Sequence, residues 1–295
     1  MNTVDYRVAD FLFTVVLPEC REGDVLLPSF RTFRQGGTGG GEKLFSFEAL
    51  PAEEMPSGGK GPLLDESEND MGLVRLYASD HGYRVEVTPV SGSITHVMDA
   101  PKDFSSAKAY LQWTDRYVGQ VLSSLLRIVF SQAVLLHGGV SIHASAVCLD
   151  GRAYLFLGKS GTGKSTHSRL WLESFPGSFL LNDDNPVLRV KDGTVVAYGT
   201  PWSGKTPCYR NLSCPVGGMA RLRQAPLNRF TLRQGVEAFT AVYPGCSVIV
   251  RDAVLSDALQ ETLAQVAGKV TVGMLECLPD KDAALLCGER LAGKK

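Results

Sequence analysis

Short alternations of apolar and polar positions dominate the first hundred residues. Tyr6 to Leu17, Gly72 to Ala78, Tyr83 to Val90 and Ser93 to Met98 are β-type runs separated by Gly-, Asp- and Ser-rich turns. Such runs predict a small antiparallel sheet. The period changes over Ser105 to Ala133, where Leu111, Val118, Leu122, Leu125 and Val129 recur at helical spacing. A helix joining two halves of the chain is expected there. Further on, strands and turns alternate through Val216 to Leu222, followed by a predicted helix at Asp257 to Ala267, a strand at Lys269 to Cys277 and a last helix at Lys281 to Ala292. That order predicts an α/β fold, a mixed sheet flanked by helices behind a small β-rich N-terminal domain. The domains are placed at residues 1–104 and 105–295.

Two segments break the pattern. Gln35 to Gly41 is glycine-rich without a following helix, and Pro51 to Asp70 is rich in Pro, Gly and acids. Both are expected to be loops. The 295 residues carry enough apolar content for two real cores. A formal net charge of −1 offers no field for nucleic acid or an anionic membrane, and neither partner is expected.

The apolar stretch Tyr117 to Leu136 is interrupted by Gln120, Arg127 and Gln132, which fits a buried helix better than a membrane span. The N-terminus lacks a basic region, and Asp5 and Asp10 precede its apolar run, unlike a secretory signal. Seven cysteines without a C-x-x-C pair read as reduced thiols of a cytoplasmic protein.

The chemistry concentrates between His143 and Arg210. An apolar run, Ala153 to Leu157, feeds GKSGTGKST, and an apolar helical pattern of Leu170, Trp171 and Phe175 follows. This meets G-x-x-x-x-G-K-[ST] at Gly158, Gly163, Lys164 and Ser165. Gly161 and Gly163 let backbone N–H groups turn toward an anion where a Cβ would obstruct. Ser160, Thr162 and Thr166 complete the cradle. In a nucleoside-triphosphate cradle Lys164 can reach the β- and γ-phosphates, Ser165 can offer a hydroxyl to Mg²⁺, and the helix adds its positive N-terminal end; the other reading is a structural glycine turn.

A second formal match, Gly199 to Thr206, contains Pro201 and is followed by Pro207, so no helix opens at its lysine. It is either a Pro/Gly turn or a cationic loop in which Ser203, Lys205 and Arg210 face the first cradle. Between the two loops, the strand Phe179 to Asn185 ends in adjacent carboxylates, Asp183 and Asp184. These either hold Mg²⁺ and accept a proton, or make an Asn/Asp turn before Pro186. Neighbouring strand residues point to opposite faces, so the two aspartates do different jobs unless the strand has already ended. Arg221, Arg223 and Arg229 extend the cationic surface near the second loop or are simply solvated.

The ordered set of His143 to Gly158, the cradle, and Asn182-Asp-Asp184 resembles the catalytic domain of HPr kinase/phosphorylase and its relatives. It is also similar to the nucleotide half of ATP-dependent phosphoenolpyruvate carboxykinase. The resemblance covers about a quarter of the chain, Leu136 to Pro207. It implies that His143 lies near the phosphates, that Asp183 is the general base, and that Asp184 is the metal-side carboxylate; taken without the family, His143 reads as a buried or capping histidine. The relatives form rings or dimers, which leaves a homo-oligomer open.

The expected function is an ATP- and Mg²⁺-dependent phosphotransferase acting on a hydroxyl of a protein serine or a small serine-like metabolite. Two alternatives stand beside it: a nucleotide-gated binding module without transfer, and a phosphorylase or hydrolase running the reaction in reverse or to water.

Overall fold

The computed structural model describes residues 1–36, 43–58, 60–69, 72–90 and 94–293. Residues 37–41 of the glycine-rich segment and Ser93 lie outside them. The chain divides into two compact units, Met1–Leu136 and His137–Lys295.

The first unit holds β1 (Asn2–Val8), β2 (Phe11–Leu17), α1 (Gly23–Leu26), β3 (Lys43–Pro51), β4 (Leu63–Asn69), β5 (Gly72–Ser79), β6 (Gly82–Pro89), β7 (His96–Pro101), β8 (Ser106–Leu111) and α2 (Val118–Ala133). Among the described residues the strands form one sheet in the order β1-β2-β3-β8-β7-β6-β5-β4. It is mixed, not purely antiparallel, because β3 lies parallel to both β2 and β8. The core is aromatic: Phe13 stacks on Phe45 at 4.7 Å, and Phe130 of α2 meets both rings edge-on.

Three expectations change here. The helix placed at Ser105 to Ala133 is a strand followed by a shorter helix. Ser106 and Lys108 are exposed while Ala107 and Ala109 are buried, a period of two that pairs β8 with β3 and β7. Those pairings carry the unit boundary from 104/105 to Leu136/His137. The acidic stretch placed wholly in a loop contains β4, an exposed strand paired with β5. Val118–His137 is long and apolar enough to cross a membrane by length and composition, and 72% of its apolar window is buried.

The second unit holds β9 (Gly139–Ser141), β10 (Ala144–Leu149), β11 (Arg152–Leu157), α3 (Lys164–Ser174), β12 (Phe179–Asp184), β13 (Val187–Lys191), β14 (Thr194–Tyr198), β15 (Ser213–Gln224), β16 (Arg229–Arg233), α4 (Val236–Val242), α5 (Ala253–Lys269), β17 (Val272–Cys277) and α6 (Lys281–Ala292). It is an α/β unit whose sheet runs β12-β10-β11-β15-β14-β13-β9, with β17 and then β16 added beside β15. Among the described residues only β11·β15 and β15·β17 are parallel among its pairs.

One face of the sheet buries Val147, Tyr154, Phe156, Ala220 and Leu275 with Trp171 and Phe175 of the α3 segment and Ala284 and Cys287 of α6. The next residues along β11, Ala153, Leu155 and Leu157, are fully buried too, so both faces of that strand are covered.

The sheet has a seam. Residues 213–215 of β15 pair with β14, whereas 216–224 pair with β11 and β17. The chain crosses the same seam between β9 and β10, at Ile142-His143, and between β12 and β13, at Asn185-Pro186. The Ile142 amide bonds the Pro186 carbonyl there at 3.1 Å.

Cys148 on β10 and Cys214 on β15 are joined in a disulfide. This corrects the reading of seven thiols: sequence spacing carries no information on a pair separated by 66 positions, on strands that flank β11 in the sheet.

Candidate functional site

The cradle forms where β11 ends. Gly161 and Gly163 take left-handed φ values of 78° and 103°, a region costly for residues with a Cβ. Gly163 is the N-cap of α3 and offers no side chain to its first N–H groups. Those donors remain for an anion, as at phosphate-binding helix starts. Thr162 closes the loop on itself, its amide and hydroxyl both bonding the Lys159 carbonyl, the latter at 2.6 Å.

Lys164 lies across the loop with Nζ donating to the Gly158 carbonyl at 3.1 Å. Partial burial pulls its ammonium below the usual lysine value, while Asp184 and Asp183 pull the other way. That opposing influence places both carboxylates in the electrostatic neighbourhood of the cradle lysine.

β12 continues through Asp184, so the two carboxylates occupy successive strand positions and point to opposite faces. Their surroundings differ accordingly. Asp183 is 5% exposed; its Oδ1 accepts from Ser145 Oγ at 2.7 Å, and its Oδ2 is buried without a hydrogen-bond partner. Asp184 is more open, with Oδ1 3.4 Å from His143 Nε2 and Oδ2 accepting from Asn185 Nδ2 at 2.6 Å. His143 is held by its backbone, its amide donating to the Gly245 carbonyl at 2.7 Å. Its half-exposed ring places it beside the carboxylates and not in the core.

The second loop is docked on the same strand end. Gly204 donates its amide to the Asp183 carbonyl at 3.1 Å, and Ser203 pairs with Asp184 in a β-bridge. No helix follows Lys205. Lys205 is exposed on this loop. Arg210 sits elsewhere, its guanidinium 5.4 Å over the Phe179 ring at the opposite end of β12 from the carboxylates. The structure therefore does not gather Ser203, Lys205 and Arg210 into one cationic face.

Arg221 and Arg223 line a cleft of about 520 Å³ with Gly158 to Thr162, Gln224 and Met274, so they flank the first cradle and not the second loop. Register puts Arg221 beside Leu157, the residue before the cradle, and its Nη1 donates to the Ala241 carbonyl at 2.8 Å. Arg223 and Arg229 both bond the Glu276 carboxylate, and those bonds hold it below its ordinary pKa. Gln224 reaches the loop itself through Gly161 O at 3.4 Å.

Two serines escaped sequence reasoning, and Asn182 entered it only as part of a resemblance, without a role. Asn182, fully buried, donates to the Thr200 and Trp202 carbonyls and accepts from the amides of Asp184 at 2.9 Å and Asn185 at 2.8 Å. It fixes the strand end and the second loop together. Ser145 and Ser168 are buried behind Asp183 with their hydroxyls 2.5 Å apart. A polar residue in an otherwise apolar strand was the available clue for Ser145; nothing local points to its partner.

The donors named for Mg²⁺ are a hydroxyl, Ser165, and a carboxylate, Asp184. Among the described residues no group of three or more His, Cys, Asp or Glu could hold a metal alone. Oxygen donors that few suit Mg²⁺, which keeps much of its water and is shared with phosphates in nucleotide sites.

No protein-family profile matches the chain, and no curated protein matches it. Among solved structures, the Hpr(Ser) kinase/phosphatase from Coxiella burnetii is similar over 52% of this chain and 88% of that one, at 13% identity and a TM-score of 0.31.

Proposed function

We propose that the chain is an ATP-dependent phosphotransferase that moves the γ-phosphoryl group to the hydroxyl of a protein serine or a small serine-like metabolite. One observation carries the reading: a buried carboxylate oxygen, Asp183 Oδ2, stands unpartnered on a strand end near the lysine of a phosphate cradle. Burying such an oxygen unpaired is costly, and a hydroxyl from an acceptor relieves the cost by donating to it.

The α3 N-terminus, the cradle amides and Lys164 bind and orient the triphosphate, and the 520 Å³ cleft beside Gln224 and Met274 is within the size range of small-molecule sites. Asp183 takes the proton of the acceptor hydroxyl as its oxygen bonds the γ-phosphorus. The bond to the β,γ-bridging oxygen breaks and ADP leaves with that electron pair. Ser165 and Asp184 would hold Mg²⁺, which when bound offsets phosphate charge. His143 orients Asp184, and Lys205 supplies positive charge on the acceptor side. Arg210 takes no part.

The test uses γ-labelled MgATP with size-fractionated cell extract, comparing the unmutated chain with Asp183→Asn. Label entering a protein or small-molecule fraction only with the unmutated chain supports transfer and names the acceptor class. Tight ATP binding without Asp183-dependent transfer removes this reading in favour of a nucleotide-gated module. Label released as phosphate in place of a phosphorylated acceptor identifies hydrolysis, and loss of label from a pre-phosphorylated acceptor identifies the reverse activity.

A further inference from the structure

Three buried side chains from three elements form one hydrogen-bonded line: Ser168 of α3, Ser145 of β10 and Asp183 of β12. Ser145 Oγ is 2.7 Å from Asp183 Oδ1 and 2.5 Å from Ser168 Oγ. Both serines are 1% exposed. Proton counting fixes the direction of the line. An ionised carboxylate only accepts, so the single hydroxyl proton of Ser145 goes to Asp183. Ser145 must then accept from Ser168, which donates.

Two consequences follow for the carboxylate. Oδ1 is engaged by Ser145, so Oδ2 is the buried oxygen left to accept from a further donor, and the bond to Ser145 restrains the carboxylate. Ser168 lies four residues after Lys164 on the same helix. Side chains four apart share a helix face, so the line ends on the helix whose first turn builds the cradle. The position of the base is referenced to the phosphate site through β10, and not set by β12 alone.

We propose that Ser145, held by Ser168, is a positioning residue that aims Asp183 at the acceptor hydroxyl and keeps it in register with the bound triphosphate. This rests on the transfer reading above. A misplacement of the order of 1 Å at a reacting group costs up to about 100-fold in rate.

The test measures transfer from γ-labelled MgATP to the extract fraction that accepts label, release of labelled phosphate to water, and equilibrium binding of MgATP. Ser145→Ala is expected to lower kcat about 10- to 100-fold with MgATP affinity unchanged, and Ser145→Thr, which keeps the hydroxyl, to restore most of it. In an Asp183→Asn background, Ser145→Ala should change turnover no further. A purely structural serine would instead lower both backgrounds alike. Should Ser145→Ala not fold, Ser168→Ala carries the same comparison.

Full turnover in both serine variants, or an equal loss in the Asp183→Asn background, overturns the role while leaving phosphoryl transfer intact. An unmutated chain that labels neither acceptor nor water removes the transfer reading, and this role with it.

Discussion

Gly204 donates its amide to the Asp183 carbonyl at 3.1 Å, so the second glycine-lysine loop is a backbone clamp on the strand that carries both carboxylates. A Cβ on residue 204 would stand 2.7 Å from that same oxygen. Gly204→Ala should therefore lift the loop and cost about 1–3 kcal/mol, read as a lower urea midpoint at unchanged slope. Stability equal to the unmutated chain would show that the loop is not held there.

Lys164 and Asp183 should separate binding from turnover. Lys164→Ala is expected to weaken MgATP binding at least tenfold and abolish transfer with it. Asp183→Asn should leave binding within about threefold and lower turnover by about 10² to 10⁴. Titration calorimetry beside the labelling assay checks both, and an Asp183→Asn chain that keeps most of its rate would remove the base.

His167 should make the fold acid-sensitive. Trp171 Nε1 donates to its Nε2 at 3.1 Å, which requires a neutral ring, and burial pushes its pKa down to about 4. The folded chain thus refuses a proton that the unfolded chain takes below about 6.5, so the unfolded state binds more protons in that window and stability rises with pH. The contribution is flat above about pH 6.5 and is lost as pH falls toward about 4, by about 3 kcal/mol in all. His167→Gln keeps an acceptor for Trp171 and should flatten this part of the urea-midpoint profile; an unchanged profile would assign the acid sensitivity elsewhere.

Trp171 is fully buried against Tyr154, Phe156 and Phe175, with ring centroids 5.0, 5.2 and 4.9 Å away. Trp171→Ala should cost about 3–5 kcal/mol, and because it loosens α3 it should also weaken MgATP binding. Calorimetric unfolding and nucleotide titration on one preparation test both effects.

The Cys148–Cys214 bond closes a separation of 66 residues, for which chain entropy alone gives about 4 kcal/mol. Reductant should lower the melting temperature of the unmutated chain and leave that of Cys148→Ala unmoved. Equal melting with and without reductant would mean the bond contributes nothing.

The local geometry of the candidate site was legible in the sequence because it is written in consecutive residues. Gly158 to Thr166 and Asn182 to Asp184 each carry their own turn, cap or strand end. The alternation rule even anticipated that Asp183 and Asp184 would face apart. What was not legible depends on which strands lie side by side. Ser145 gains its meaning only when β10 is placed between α3 and β12. Arg210 looked close to Lys205 along the chain but lies at the other end of β12. Arg221 and Arg223 belong to the first cradle because β15 runs parallel to β11, a pairing that joins positions about sixty residues apart. The helix expected from Ser105 failed for a related reason: Ser106 to Leu111 has weak strand preference, and the pairing with β3 and β7 decides its form.

The seam through the second sheet gives the site a mechanical character. His143 and Asn185 stand where the chain steps from one half-sheet to the other, and Asp184 is the last residue before that step. The cradle and Asp183 belong wholly to one half, bolted together by α3. The 3.4 Å contact between His143 and Asp184 is therefore made across the joint, whereas the bond from Ser145 to Asp183 lies within one half.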